Sequence, residues 1–295
     1  MKNSISLWLE CARLRTLPVS VAGVIMATGV AVLNHRFAWL PALLCFVFAV
    51  LAQIVSNFAN EYYDFRRGTD KKGRVGPRRA VTEGDISPQL LLRVTIATLA
   101  VACAVGCCLI PFGGWWLLPV GILIAIFAFA YSAGPFPLSY HGLGDVAVLI
   151  FFGLVPVNLT FYLQAGYFDP LCMLASVTIG LMGVNVLLVN NYRDADDDRE
   201  AHKRTTVVIF GRRAAAAAYL IGGYVGISLL APLWLLAVPL WVLPVPALYL
   251  VLHTATWLRL TRRTGTALNP LLGATARNML IFAVLLTACF IIIAN

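Results

Sequence analysis

The sequence contains few charged residues. Asp, Glu, Lys and Arg make up 12% of the 295 residues, about half the share of a typical soluble domain, whereas hydrophobic residues make up 60%. A water-soluble globule of this size would need more polar surface, so the composition excludes both a soluble enzyme and a disordered chain. We therefore predict a polytopic membrane protein in which residues 1–295 form a single transmembrane domain.

Cysteine patterns that bind metals are also absent from the sequence. The seven cysteines fall mostly inside apolar stretches without metal-ligand spacing, and we interpret them as small buried hydrophobic residues. Residues 1–20 lack the features of a cleavable signal, and we expect a short interfacial helix there before the first span.

Nine apolar stretches approach the roughly 20 residues that a membrane span needs. They lie at about 16–34, 38–60, 89–111, 115–132, 145–164, 170–191, 213–231, 233–252 and 273–294. If the spans alternate in direction, 21 of the 22 Lys and Arg residues lie on one face, with Arg36 as the exception. By the positive-inside rule that face is cytoplasmic, which predicts an all-α protein with nine transmembrane helices, a cytoplasmic amino terminus and an outside carboxyl terminus. Because the basic residues follow the membrane topology, the net charge of +9 does not indicate a nucleic-acid-binding protein.

Acidic residues are costly near lipid, so their positions point to function. Two stripes of Asn and Asp with a four-residue step lie at the cytoplasmic ends of the second and sixth spans: Asn60 and Asp64, then Asn190, Asp194 and Asp198. Residues four apart share one face of a helix, if the helix continues that far. The equivalent positions of the stripes indicate an internal duplication.

Carboxylates that converge at a membrane surface repel one another unless a cation lies between them. Mg²⁺ takes oxygen ligands and shares its coordination with substrate phosphates. The predicted metal ligands are Asn60, Asp64, Asp70, Asn190, Asp194 and Asp198. We expect Gly68 to end the first stripe's helix and to let the chain bend back at Asp70.

Basic residues next to both stripes are suited to phosphate. They are Lys71, Lys72, Arg74, Arg78 and Arg79 after the first stripe, and Lys203 and Arg204 after the second. The acidic, basic and apolar features together predict a binding site for a lipid diphosphate, with a metal ion between the acidic residues and the diphosphate. The alternative is that both clusters are solvated loops.

Several motifs resemble the UbiA-type superfamily of intramembrane aromatic prenyltransferases, over nearly the whole chain. The two stripes are similar to its two aspartate-rich motifs, and further similar segments lie at 12–18, 74–79, 131–145, 151–153 and 198–205. The combination is most similar to the branch that prenylates 1,4-dihydroxy-2-naphthoate in menaquinone synthesis. The chain departs from the pattern at Glu61, where many relatives have Asp, and at Pro135, where other branches carry a Lys.

The resemblance implies nine helices around a central cavity in the bacterial cytoplasmic (inner) membrane, with the active site on the cytoplasmic side. Loops at about 61–88, 132–145, 192–212 and 253–272 would cap the cavity. It further implies Mg²⁺-dependent transfer of a polyprenyl group from a polyprenyl diphosphate to an aromatic acid, with loss of CO₂ for dihydroxynaphthoate.

The resemblance also implies roles for individual residues. Catalysis would involve Asp64, Asp194 and Asp198, with Asp145 or His141 as the base for a ring hydroxyl. The residues that would bind the diphosphate are Lys71, Arg78, Arg79, Lys203, Arg204 and Tyr131. The aromatic residues near the stripes are candidates to stabilise a carbocation: Tyr62, Tyr63, Phe65, Tyr131 and Tyr192. The prenyl tail would run toward membrane lipid in a groove lined by spans two, four and five.

Other functions compete with this interpretation. A related enzyme would use another aromatic acceptor, such as 4-hydroxybenzoate or homogentisate, or even haem. A transporter for an anion is a second class, but transporters place charges near the bilayer midplane and not at span ends. A CDP-alcohol phosphotransferase would need an Asp-Gly-x-x-Ala-Arg motif, which the sequence lacks.

Overall fold

The computed structural model describes residues 4–295, and all the regular structure in that range is helical. The helices are α1 Ser4–Ala12, α2 Leu17–Leu33, α3 Trp39–Arg66, α4 Ala80–Glu83, α5 Pro88–Cys107, α6 Ile110–Gly113, α7 Leu117–Ala130, α8 Gly144–Val148, α9 Val155–Ala165, α10 Pro170–Glu200, α11 Thr206–Leu229, α12 Pro244–Arg262 and α13 Asn269–Ala294. A π-helical turn, Leu149–Leu154, joins α8 to α9. The predicted all-α fold class is confirmed.

Seven helical segments of the described chain are long and apolar enough to cross a membrane. Helices α1 and α2 meet that criterion only together, with a 62° bend between them, which raises the number to eight. Helix α7 has 14 residues and is about 21 Å long, shorter than a hydrocarbon core of about 30 Å. The chain is therefore a multi-pass membrane protein, and the count of nine spans stays a prediction.

The eighth predicted span is displaced along the chain. The stretch 233–252 contains a break at Val238, which is extended with φ −128° and ψ 149°. A residue before proline avoids the helical conformation, and Pro239 follows Val238 directly. The next membrane-length segment therefore runs from Leu240 to Arg262.

Helices α3 and α10 carry the two stripes and are longer than the hydrocarbon core is thick. With 28 and 31 residues they are about 42 and 46 Å long, so their last turns extend past the hydrocarbon core. Residues 61–66 and 192–200, which the sequence places in loops, are therefore helical. In α3 the helix stops only before Gly68, whose φ of +71° suits glycine and turns the chain back, as predicted.

Helix α10 lies at the centre of the bundle. In its apolar window 67% of the residues are buried against other helices, compared with 17% for the segment Pro88–Gly113. Helix α10 packs against α2, α9, α11 and α13, while α5 packs mainly on α3 and α7 at the periphery. The second stripe therefore lies on the helix whose apolar window has the largest buried fraction among the membrane-length segments of the described chain.

The π-helical turn packs against α10 with almost no space between the backbones. A Cβ atom on Gly153 would lie 2.5 Å from the Cα atom of Gly180 and 2.5 Å from the carbonyl oxygen of Ser176. Small residues let membrane helices approach this closely. The contact fixes the neighbouring Phe152, which lines both cavities described below.

We expect Gly153→Ala to destabilise the protein by about 1–3 kcal/mol, because the new methyl group meets backbone atoms that cannot move aside. Thermal unfolding in detergent measures this as a Tm several degrees lower. Gly273→Ala is the matched control, since no atom lies within 4 Å of its added Cβ and alanine favours a helix. Equal Tm values for the two variants would contradict the predicted clash.

Candidate functional site

A polar cavity of about 360 Å³ lies between the ends of α3 and α10. The six predicted metal ligands all line it: Asn60, Asp64, Asp70, Asn190, Asp194 and Asp198. Helical spacing accounts for five of them, because the two stripes continue on α3 and α10 as expected. Asp70 reaches the cavity through the turn at Gly68.

Two cations separate the acidic groups within this cavity. The Arg74 guanidinium lies 2.7 Å from Asp70 Oδ1 and 3.1 Å from Asp194 Oδ2, so it joins the first loop to the second stripe. The Lys203 ammonium lies 4.0 Å from Asp64 Oδ2 and 3.9 Å from Asp198 Oδ1. Among the described residues, no three carboxylate, imidazole or thiol groups come close enough together to hold a metal ion by themselves.

The buried charges alter each other's protonation. Burial would lower the pKa of Lys203, but the facing carboxylates of Asp64 and Asp198 raise that pKa above its usual range. Burial raises the pKa of Asp70 to about 6, although the Arg74 guanidinium opposes the shift. Lys203 is therefore a positive charge between Asp64 of the first stripe and Asp198 of the second.

In the second stripe, Arg193 binds two of the predicted ligands. Its Nε donates to Asp194 Oδ1 at 2.6 Å, and its Nη2 donates to Asn190 Oδ1 at 2.8 Å. The Asn190 amide oxygen thus faces a guanidinium. The sequence interpretation did not assign a role to Arg193, although it lies three residues after Asn190 and therefore on nearly the same helix face.

In the first stripe, Asn60 and Asp64 are held from several directions. Asn60 Nδ2 donates to Asp64 Oδ2 at 3.1 Å and to Ser132 Oγ at 2.9 Å. The side-chain amide oxygen of Asn60, Oδ1, accepts hydrogen bonds from Arg79, at 3.3 Å, and from Arg13. The Tyr140 hydroxyl donates to Asp64 Oδ1 at 3.0 Å.

Sequence reasoning missed Tyr140 and Ser132, although both lie in the segment 131–145 that it singled out. It also assigned no role to Arg13, which lies in the segment 12–18. Neither residue type nor spacing distinguishes these side chains from their neighbours, because the chain there is not a regular helix.

The predicted phosphate-binding residues divide into two groups. Lys71, Arg79, Lys203 and Tyr131 line the cavity, together with Arg74. Arg78 and Arg204 lie outside it: Arg78 pairs with Asp85 and, at 3.5 Å, with Glu10, while Arg204 is exposed. Of Arg78, Arg79 and Arg204, the three candidates to replace the lysine that other branches carry at position 135, Arg79 alone lines this cavity.

The two candidate bases also lie outside the polar cavity. His141 is exposed and stacks on Phe136, with ring centroids 3.6 Å apart. Asp145 accepts a hydrogen bond from the hydroxyl of Thr206 at the start of α11. Their glycine neighbours, Gly142 and Gly144, line the cavity instead.

Glu61 is buried but faces away from the cavity. It is 1% exposed, and its Oε1 accepts the Val81 backbone N–H at 3.1 Å and the Cys11 thiol at 3.7 Å. Its Oε2 lies 3.9 Å from Arg79 Nη1. Glu61 thereby anchors the start of α4, and with it Arg79, on the end of α3.

A second cavity, of about 380 Å³ and mostly apolar, adjoins the first. The residues that line both are Gln53, Ser56, Tyr131, Val148 and Phe152. The walls come from the predicted spans two, four and five, with contributions from spans one and three. Of the other candidate aromatic residues, Tyr62, Tyr63 and Phe65 pack beside α4, and Tyr192 lies beneath Arg212.

Comparisons with known proteins agree with this arrangement. The profile of the UbiA prenyltransferase family matches residues 18–273. The 1,4-dihydroxy-2-naphthoate octaprenyltransferase of Escherichia coli is 40% identical over 206 residues, 67% of this chain and 66% of that protein. The protein of the same name in Mycobacterium tuberculosis is 36% identical over 95% of both chains.

A solved structure of a UbiA homolog from Archaeoglobus fulgidus bound to GPP and Mg²⁺ has the same fold. Its TM-score is 0.70 with 17% sequence identity, and the match covers 96% of this chain and 99% of that chain.

We expect Glu61→Ala to release α4 from α3, because the variant leaves the Val81 N–H without its acceptor. Hydrogen exchange of the Val81 amide should become at least tenfold faster. Glu83→Ala, in the same short helix, is the control and should leave the exchange rate unchanged. The anchoring role is wrong if the two variants exchange alike.

Proposed function

The chain belongs to the UbiA prenyltransferase family, and we propose that it transfers a polyprenyl group from a polyprenyl diphosphate to 1,4-dihydroxy-2-naphthoate. The transfer would proceed with loss of CO₂ and give a demethylmenaquinol for menaquinone synthesis. The names of its relatives in Escherichia coli and Mycobacterium tuberculosis support the choice of acceptor.

The observation that carries this proposal is that the two cavities adjoin and share five lining residues. One is lined by carboxylates, amides and cations at the ends of α3 and α10, and the other is lined by apolar side chains between the helices. A polyprenyl diphosphate has the same two parts, a dianionic or trianionic head and a hydrocarbon tail. The head would lie in the polar cavity, with the tail in the apolar one.

The residues of the polar cavity suit Mg²⁺ by the chemistry of their donor atoms. Asp64, Asp194 and Asp198 offer carboxylate oxygen atoms from two facing helices, and Mg²⁺ commonly uses one or two carboxylates together with substrate phosphates. The amide oxygens of the other two predicted stripe ligands, Asn60 and Asn190, are bound by arginines instead. The carboxylates lie in two pairs, Asp70 with Asp194 and Asp64 with Asp198, so a metal ion would take few ligands from the protein and the rest from the phosphates. Bound Mg²⁺ would stabilise the negative charge of the departing diphosphate.

The chain's own cations would bind the diphosphate oxygens. Lys203, Arg74 and Arg79 line the same cavity and are held in place by carboxylates before any substrate arrives. Charges fixed in advance stabilise a leaving group without the cost of reorganisation. Asp70, which pairs with both Arg74 and Arg79, would act mainly by orienting these two guanidinium groups.

The apolar cavity would exclude water from the reacting carbon. An allylic carbocation that meets water is lost as a prenol, so the bond must form where water is scarce. Tyr131 and Phe152 lie at the junction of the two cavities, where the allylic carbon would be placed. Their ring faces can stabilise a positive charge.

We propose nine spans with the site on the cytoplasmic side of the bacterial cytoplasmic membrane. The Arg- and Lys-rich segments lie at the same ends of α3 and α10 as the cavity, which supports this orientation. Helix α7 would be a short ninth span. The exposed Trp115 and Trp116 at its start are typical of a membrane interface.

Purified protein in detergent, supplied with Mg²⁺, a polyprenyl diphosphate and dihydroxynaphthoate, should form a prenylated naphthoquinol and release CO₂. 4-Hydroxybenzoate and homogentisate, offered in parallel, should react much more slowly. Preferential prenylation of either would replace the proposed acceptor while leaving the reaction class intact. Removal of divalent cations with EDTA should abolish turnover, and Mg²⁺ should restore it.

Asp64→Asn and Asp194→Asn should each reduce kcat by about 100-fold or more, since each removes a charge that holds the cations and the metal. Asp196→Asn provides the control, because Asp196 is exposed on the same helix end and pairs only with Arg199 and Arg212 among the described residues. Full activity in either of the first two variants would exclude a site built from both stripes.

A further inference from the structure

The guanidinium of Arg193, near the end of α10, is buried against the second stripe. Arg193 is 4% exposed; its Nε and Nη2 donate to the two carboxylate oxygens of Asp194 at 2.6 and 2.7 Å, and its Nη2 also donates to Asn190 Oδ1. A buried guanidinium is costly unless its donors are paired, and a two-pronged contact with a carboxylate is the strong form of pairing. Neighbouring residues of a helix do not face each other, so this guanidinium needs further partners to stay against Asp194.

The first residue of α13 supplies such a partner. Arg193 Nη1 donates to Asn269 Oδ1 at 3.2 Å, and Asn269 Nδ2 donates to the Val75 carbonyl at 3.0 Å. One amide side chain thus binds the second stripe with its oxygen and the loop after the first stripe with its nitrogen. Asn269 itself does not line the polar cavity.

These contacts close a ring that contains Arg74. Val75 follows Arg74 in the chain, and the Arg74 guanidinium lies 3.1 Å from Asp194 Oδ2. The ring therefore runs from Asp194 through Arg193, Asn269 and the Val75 backbone to Arg74, and back to Asp194. In such a network the loss of one member leaves its partners unsatisfied, and the cost is shared by the whole network. The direction of Arg74 thus depends on a side chain from α13.

A glycine allows the loop to lie directly on the Arg193 guanidinium. A Cβ atom on Gly76 would lie 2.9 Å from Arg193 Nη2 and 3.0 Å from Arg74 Nη2. Such contacts are too short for a carbon atom, so a side chain at this position would displace the loop or both guanidinium groups. The missing side chain of Gly76 is therefore a second requirement for the ring, independent of Asn269.

Arg74 is one of the cations that the proposed function gives to the diphosphate. Its side chain is 16% exposed, lines the polar cavity and pairs with Asp70 and Asp194. A cation that is fixed before the ligand arrives binds it without a further loss of side-chain freedom. Without the amide of Asn269, the backbone at Val75 loses its donor and Arg74 loses part of this fixation.

We propose that Asn269 is a positioning residue for the diphosphate. It holds Arg74 through the Val75 carbonyl and Asp194 through the Arg193 guanidinium, without contacting the substrate. This inference rests on the proposed function, since it concerns how the same site holds the head of its first substrate. It also gives α13 a part in a site whose acidic ligands come from α3, α10 and the loop after α3.

Steady-state kinetics on the full chain in detergent, with Mg²⁺ present, tests the role of Asn269. In Asn269→Ala the KM for the polyprenyl diphosphate should rise at least fivefold, because Arg74 is no longer fixed, while the KM for dihydroxynaphthoate stays within twofold. The inhibition constant of inorganic diphosphate should rise by the same factor, since this ion has the head without the tail. Unchanged constants for both diphosphates would overturn the proposal.

Asn278→Ala is the matched control on the same helix. Asn278 is 3% exposed and donates to the Leu252 carbonyl and to Thr256 Oγ1, at 3.3 and 3.1 Å, outside the polar cavity. Its loss should lower the Tm, as the loss of a buried hydrogen bond does, and should leave both diphosphate constants unchanged. If Asn278→Ala raised these constants as much as Asn269→Ala, the effect of Asn269 would be one of stability alone and the proposal would be wrong.

Gly76→Ala opens the ring at another point and should by itself raise the KM for the polyprenyl diphosphate. Because both changes break the same ring, Asn269→Ala combined with Gly76→Ala should raise this KM little beyond the larger of the two single effects. Effects that multiply would show that the two residues act independently, which overturns the ring. If Asn269→Ala does not fold, Gly76→Ala decides alone, and an unchanged KM contradicts the proposal.

The outcomes separate this inference from the proposed function. If the unaltered protein does not prenylate dihydroxynaphthoate, the proposed function fails. If it does, and Asn269→Ala keeps the diphosphate constants of the unaltered protein, the proposed function stands and Asn269 has no part in positioning the diphosphate.

Discussion

The site depends on the pairing of acidic side chains with half-buried cations across two helix ends. Arg74 lies between Asp70 and Asp194, and Lys203 lies between Asp64 and Asp198. A charge that is largely withdrawn from water is costly unless it is paired. Each of these two cations joins segments that are far apart in the chain. The same pairing places cations where a polyanion would bind and carboxylates where a divalent ion would bind.

Helix length and close packing make this pairing possible. Helices α3 and α10 extend beyond the apolar core, so the stripes remain helical and face one another outside the lipid. The contact of Gly153 with Gly180 brings the π-helical turn against α10 and fixes Phe152 between the polar and apolar cavities. Glu61 then fastens α4 to α3, which sets the position of Arg79. Each of these contacts is local, yet together they set the positions of residues that line the two adjoining cavities.

All five stripe residues line the polar cavity, whereas only some of the candidate residues in the loops do. Asn60 and Asp64, like Asp194 and Asp198, line the cavity because a four-residue step defines a helix face wherever the helix continues. Arg78 and Arg204, by contrast, lie outside the cavity, and Arg74 and Arg13 lie in it. In a loop, neighbouring residues of the same type point in directions that depend on distant contacts, which no spacing rule describes.

The sequence by itself determined the membrane class, the helical fold and the two stripes, because composition and helical period act within a short stretch of chain. Tertiary structure decided which cations enter the cavity, that Glu61 faces away from it and that Arg13 adopts a left-handed conformation toward it. Several of these features arise from side chains that are far apart in sequence: Arg13 and Asn60 are separated by 47 residues, and Arg74 and Asp194 by 120. Such pairings exist only once the bundle has formed, since burial is what makes an unpaired charge costly.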